Sequence, residues 1–177
     1  MSESVPRILS WVHPRARTGK FWLILGVGAL AMVMVVKRVE RDWALTFSDE
    51  TQQSLDHVYF VVHKADHHVV RGQYVAFRVG PGLKRYPEGT GFMKVAVGMP
   101  GDRVQVTACA TYVNGDRVAG GLDLMKPLGQ PATAFERSFI VPPNNLFVVG
   151  TRPFSYDSRY WGLVPASRIV GRGYALW

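Results

Sequence analysis

Thr111-Tyr112-Val113-Asn114-Gly115-Asp116-Arg117-Val118 reads as a β-hairpin. Strand-favouring residues stand on both sides of Asn114-Gly115. That dipeptide tolerates the two positive φ angles of a primed turn, whose twist matches that of the flanking strands. Outward from this hairpin, short β patterns bounded by Gly, Pro and Asn recur at 58–62, 74–79, 104–107, 139–141, 146–149 and 168–170. Pro81-Gly82, Pro87-Glu88-Gly89 and Pro100-Gly101-Asp102 mark turns, and the chain holds 18 Gly and 11 Pro. Helical periodicity is weak from about Thr46 onward. The expected fold is mainly β, a small twisted barrel or sandwich, preceded by one N-terminal transmembrane helix. Residues 119–138 are less regular and are expected to form an excursion from the β core with one short helix.

The apolar stretch lies at the other end of the chain. Phe21 to Val36 is sixteen residues without a charge, bracketed by Lys20 and by Lys37-Arg38. At about 1.5 Å per residue it spans about 24 Å, slightly short of a ~30 Å hydrocarbon core. Snorkelling basic side chains and the interfacial Phe21 and Trp22 make up the difference. Ala29-Leu30-Ala31 resembles a signal-peptide cleavage site, but the apolar run continues to Val36 and stops at a basic pair. An uncleaved signal anchor is therefore expected over 21–37, with a basic cytoplasmic arm at 1–20 and an exported β-rich domain at 45–177.

Charge supports this division. The net charge is +8, which by itself could suggest nucleic acid. Residues 1–42 hold seven Lys/Arg against three acids, so half the excess flanks the apolar segment. There it reads as membrane topology, and no nucleic-acid partner is expected. The slight positive-inside bias favours a single-pass topology with the N-terminus in the cytoplasm and the domain outside.

The inventory of reactive groups is short. Cys109 is the only cysteine, read as a small strand residue, so no internal disulfide or Cys-based metal site is possible. His67 and His68 share a turn and are expected to be solvated. No Gly-rich phosphate loop, His-Glu metal pattern or Gly-x-Ser-x-Gly elbow is present. The chain is expected to use no cofactor and no metal, which leaves hydroxyls as nucleophiles.

Two segments could activate one. Phe92-Met93-Lys94-Val95-Ala96-Val97-Gly98-Met99-Pro100-Gly101-Asp102 is apolar except for Lys94 and Asp102. Desolvation on such a strand disfavours the ammonium and lowers its pKa. The shift is consequential, because at ~10.4 only about one lysine in two thousand is neutral at pH 7. In Ser155-Tyr156-Asp157-Ser158-Arg159-Tyr160-Trp161-Gly162, a hydroxyl, a carboxylate and a guanidinium alternate. On an extended segment they would project to one face, a row costly to bury unless its members satisfy one another.

These segments resemble the boxes of the type I signal peptidases. K-V-A-V-G-M-P-G-D at 94–102 is similar to the family's K-R-x-x-G-x-P-G-D, and S-Y-D-S-R-Y-W-G-L-V-P at 155–165 matches the final box almost throughout. Gly72-Gln73-Tyr74-Val75-Ala76-Phe77 looks like the family's G-D-x-V-x-F strand, and Tyr112 to Gly115 matches a familiar hairpin. The resemblance covers about 54–172. It implies a Ser-Lys dyad with Lys94 as general base and Ser54 as nucleophile, Ser48 being the nearby competitor. It further implies that Ser155 orients the lysine amine and that Asp157 and Arg159 form the ion pair fixing that loop.

Some positions depart from the pattern. The family usually has a proline two or three residues after the nucleophile, where this chain has Leu55-Asp56-His57. The serine two before it is Gln52, whose amide could donate to the oxyanion beside the Ser54 N–H. The usual Gly-Asp-Asn-Arg lead-in to the final box is Gly150-Thr151-Arg152-Pro153. With the short length and compact loops, these features resemble the TraF-type signal peptidases of conjugative transfer. The expected substrate is then an exported pilin-like precursor bound as an extended strand, matured or even circularised, alongside other conjugation or secretion machinery. Three rivals remain: a housekeeping signal peptidase I, a degenerate scaffold domain for pilus assembly, and the soluble Ser-Lys self-cleaving repressors. The apolar anchor and the lack of a DNA-binding helix pair argue against the last.

Overall fold

The structure is a computed structural model that describes residues 19–47, 54–83 and 86–176. It begins with helix α1, Gly19–Asp42, 24 residues whose apolar window has a mean hydropathy of 2.0. At about 1.5 Å per residue it is about 36 Å long, enough by length and composition to cross a membrane. It exceeds the sixteen-residue apolar run because Lys37 to Asp42 continue the helix.

The second compact unit, Asp42–Trp177, is mainly β. Its strands are β1 Trp43–Phe47, β2 Tyr59–His63, β3 Tyr74–Arg78, β4 Gly91–Gly98, β5 Arg103–Val106, β6 Ala110–Val113, β7 Asp116–Gly120, β8 Arg137–Ile140, β9 Asn145–Val149, β10 Val164–Pro165 and β11 Ile169–Ala175. A short helix α2, Ser158–Trp161, lies between β9 and β10. The strands form a seven-stranded sheet in the order β1-β2-β11-β3-β4-β9-β10 and a four-stranded sheet in the order β7-β6-β5-β8. Every described pairing is antiparallel. The two sheets do not close into a barrel.

The hairpin forms as its sequence predicts. Val113 pairs with Asp116, and Asn114 and Gly115 take φ of 54° and 95°, the two positive angles of a primed two-residue turn. Strand β1 has no counterpart in the sequence reading, because its five residues follow the charged end of α1 with no turn signal to set them apart. Residues 119–138 hold turns and one 3-10 segment, Ala132–Ala134, and no α-helix. They cover the core with Leu122 and Leu124, both buried. Cys109 also differs from expectation: it is exposed in the turn between β5 and β6. The strand ends early because Thr107 Oγ1 bonds both the carbonyl and the N–H of Ala110.

Strands β4 and β9 lie between two apolar cores. Leu146 and Val148 of β9 and Ala96 of β4 belong to one, with Val75 and Phe77. Phe147 and Val149 of β9 and Val97 of β4 belong to the other, with Val104, Val106 and Val113. This explains why 146–149 reads as an unbroken apolar run, the pattern of a strand covered on both faces. The β4–β5 connection is locked by Asp102, which accepts from Arg71 Nη2 at 2.7 Å, Met99 N–H at 2.5 Å and Asn114 Nδ2 at 2.7 Å. Burial works against its charge, but these donors hold its carboxyl below the usual range.

Candidate active site

Lys94 sits on the strand that both cores enclose. In the β3–β4 ladder it stands opposite Val75, which is fully buried. Strand alternation puts its side chain on the same face as Phe92 and Ala96. Only 4% of the residue is exposed, and Nζ lies 5.6 Å from the centre of the Phe92 ring. Burial lowers its pKa to about 8; the Asp157 charge opposes the shift and the Arg159 charge adds to it. At that value about a tenth of the molecules carry a neutral amine at pH 7.

Ser54 and Lys94 line the same cavity, of about 620 Å³, together with Tyr86, Phe92, Phe154 and Tyr156. The backbone of Ser54 is fixed from the end of β9. Its carbonyl accepts the N–H of Thr151 at 3.0 Å and that of Arg152 at 3.4 Å. Gln52, expected to help hold an oxyanion, and Ser48, the competing serine, lie outside the described residues.

Gly150 explains how the Ser54 segment and the final box come so close. A Cβ at this position would overlap both Ser155 Oγ and the Ser54 carbonyl oxygen, so no larger residue fits without displacing one of them. Ser155 is fully buried, and its hydroxyl has no hydrogen-bond partner among the described residues. An unpaired buried hydroxyl costs free energy, and here it lies beside the segment that carries Ser54.

The expected polar row is not extended. Asp157 is extended, but it caps α2 by accepting the Arg159 N–H at 3.1 Å, so Arg159 lies on a helical turn. Aspartate at that position satisfies an otherwise unpaired helix N–H, and this favours the turn over continued strand. The cap also brings the two charges face to face. Arg159 Nε reaches Asp157 Oδ1 at 2.9 Å and Nη2 reaches Oδ2 at 2.8 Å, with both side chains almost wholly buried. The remaining capacity is used as well: Arg159 Nη1 donates to the Gly121 carbonyl at 2.7 Å, and Asp157 Oδ2 accepts the Gly150 N–H at 2.9 Å. Burial tends to lower the Arg159 pKa, but the bonds and charge of Asp157 outweigh it and raise the value. Gly162 then turns the chain at φ 101°, a conformation for which glycine is suited.

The structure thus brings Ser54, Lys94, Ser155, Asp157 and Arg159 into one region. Among the described residues no cluster of three His, Cys, Asp or Glu could hold a metal ion. Thr151 and Arg152 enter the site through their contacts with Ser54 and went unrecognised in the sequence, where only their departure from the family pattern set them apart. The family model described as "Signal peptidase, peptidase S26" matches residues 18–177.

The chain belongs to the peptidase S26 signal peptidase family.

Individual members are similar over shorter stretches. The probable signal peptidase I-2 of Synechocystis sp. is 35% identical over 106 residues, covering 59% of this chain and 46% of the relative. The signal peptidase I of Leptolyngbya laminosa is 32% identical over 119 residues, covering 63% of this chain and 56% of the relative. The chain therefore spans about half the length of these curated relatives. A solved signal peptidase I from Enterococcus faecalis V583 is similar at 24% identity, covering 59% of this chain and 96% of its own, with a TM-score of 0.40.

Proposed function

We propose that this S26 chain is a membrane-anchored Ser-Lys serine endopeptidase that removes N-terminal segments from exported precursors. The observation that carries the reading is that Lys94, buried and with its pKa lowered to about 8, lines the same cavity as Ser54. A neutral Lys94 amine takes the Ser54 hydroxyl proton as Oγ attacks the scissile carbonyl carbon. The tetrahedral oxyanion is met by the Ser54 N–H and the Gln52 amide. Collapse breaks the C–N bond, the ammonium of Lys94 returns the proton to the departing amine, and an ester remains on Ser54. Water, deprotonated by the same amine, then hydrolyses that ester. The Asp157–Arg159 pair keeps the loop in place, whereas the Ser155 hydroxyl, expected to orient the amine, is buried without a hydrogen-bond partner among the described residues and does not hold Lys94 in this structure.

The substrate is an extended strand with small residues before the cut. The chain is anchored in the inner membrane by α1 and works on the periplasmic side. Strand β1 follows α1 directly and leaves Trp43, Leu45 and Phe47 exposed, which suits a domain working at a membrane surface. Within this reading, the compact loops and the altered Ser54 neighbourhood support a TraF-type role in maturing a pilin-like precursor. The housekeeping role has equal support from relatives named signal peptidase I.

Mass spectrometry of exported proteins from cells with and without the chain tests both. Loss of one pilin cut, with bulk precursors still processed, supports the specialised role, and a product lighter by one further water shows a cyclic pilin. General accumulation of precursors supports the housekeeping role. Normal processing of every precursor overturns the peptidase reading.

A further inference from the structure

The segment that carries Ser54 is tied to one short stretch of chain, and the bonds are specific. Besides the two N–H groups given to the Ser54 carbonyl, Thr151 Oγ1 accepts the Asp56 N–H at 2.9 Å, and Arg152 Nε donates to Asp56 Oδ1 at 3.2 Å. Both side chains of this second contact are substantially exposed, at 43% and 60%, and such an ion pair adds little to stability. The stretch is anchored in turn: Gly150, immediately before Thr151, gives its N–H to the buried Asp157. A continuous path thus runs from the Arg159–Asp157 pair through Gly150 and Thr151 to Ser54. It joins two of the places where the sequence departs from the family pattern, Leu55-Asp56-His57 and Thr151-Arg152-Pro153.

We propose that Thr151, assisted by Arg152, is a positioning residue that sets the Ser54 backbone by holding Asp56, in the place where the family has a proline. The inference rests on Ser54 being the nucleophile. A hydroxyl displaced by about an ångström from its near-attack position loses rate on the order of a hundredfold, with little change in binding. Thr151→Val removes the acceptor and keeps the shape, whereas Thr151→Ser keeps the acceptor.

The test uses the full chain in detergent micelles, a synthetic precursor peptide, and hydrogen exchange at the Asp56 amide. In Thr151→Val, exchange at Asp56 should accelerate at least tenfold and kcat should fall about tenfold or more. KM, the pH at which activity rises and the melting temperature should stay close to wild type. Thr151→Ser should restore slow exchange and bring kcat to within a few-fold of wild type. Unchanged exchange in Thr151→Val overturns the inference whether or not the peptide is cut. So does equal loss in both variants, or a loss confined to KM. Full activity in Ser54→Ala is a different failure, that of the nucleophile assignment.

Discussion

Lys94 faces Val75 across the β3–β4 ladder, and this one pairing puts the only buried lysine among the described residues against the apolar core. Its amine is removed from water by neighbours that cannot solvate a charge. The polar groups near it, Asp157 and Arg159, are already bound to each other.

Activity should rise with pH along a limb set by Lys94. Its pKa is lowered to about 8 by burial, so the neutral base is scarce at pH 6 and dominant by pH 9. The expected kcat/KM rises about tenfold per pH unit below that point and levels off above it. A pH profile on a precursor peptide checks this. A limb at pH 5 or below would point to a carboxylate instead.

Stability should respond to Lys94 with a defined sign. Between about pH 8 and its ordinary pKa near 10.5 the unfolded chain binds the proton that the folded chain does not. Wild-type stability therefore gains with pH across that window, and below pH 8 the full cost of the buried ammonium is present. Lys94→Met should be more stable than wild type at pH 7, by on the order of 1–3 kcal/mol. The difference should shrink as pH approaches 10.5. Denaturant melts of both proteins at pH 7 and pH 10 measure it.

Arg159→Met should be severely destabilising. It leaves Asp157 buried with its charge uncompensated, which costs about 3–5 kcal/mol. Replacing both residues, as in Asp157→Leu with Arg159→Met, should recover part of the loss because no lone charge remains. Thermal melts of the single and double variants would show it.

Gly150→Ala should impair catalysis well beyond its effect on folding, because the added methyl overlaps Ser155 Oγ and the Ser54 carbonyl. At Gly121 the clash is instead with the backbone carbonyl of Ala108, and because the Gly121 carbonyl also accepts from the buried Arg159, Gly121→Ala should show chiefly as lost stability. Parallel turnover and melting measurements separate the two.

Much of this was legible in the sequence because the relevant signals are local. Asn114-Gly115 specifies its turn through backbone sterics alone, and Lys94 announces its burial through the apolar residues on either side. What escaped depends on partners distant in the chain. The alternation at 155, 157 and 159 suggested a strand, but the cap made by Asp157 bends the segment into a helical turn and lets both charges pair. Thr151 looked like a simple departure from the family pattern, since its bond to Asp56 crosses 95 positions. The ending of β5 before Cys109 likewise depends on a side-chain hydroxyl competing with the strand ladder.

The central claim, that Lys94 activates Ser54, is tested most directly by locating the covalent intermediate. The purified full chain, incubated with a slow-leaving acyl peptide at pH 9, quenched and mapped by mass spectrometry, should carry the acyl group on Ser54. The adduct should be absent in Ser54→Ala and reduced on the order of a thousandfold in Lys94→Met. An adduct on another residue, or full acylation of Ser54 in Lys94→Met, would contradict it.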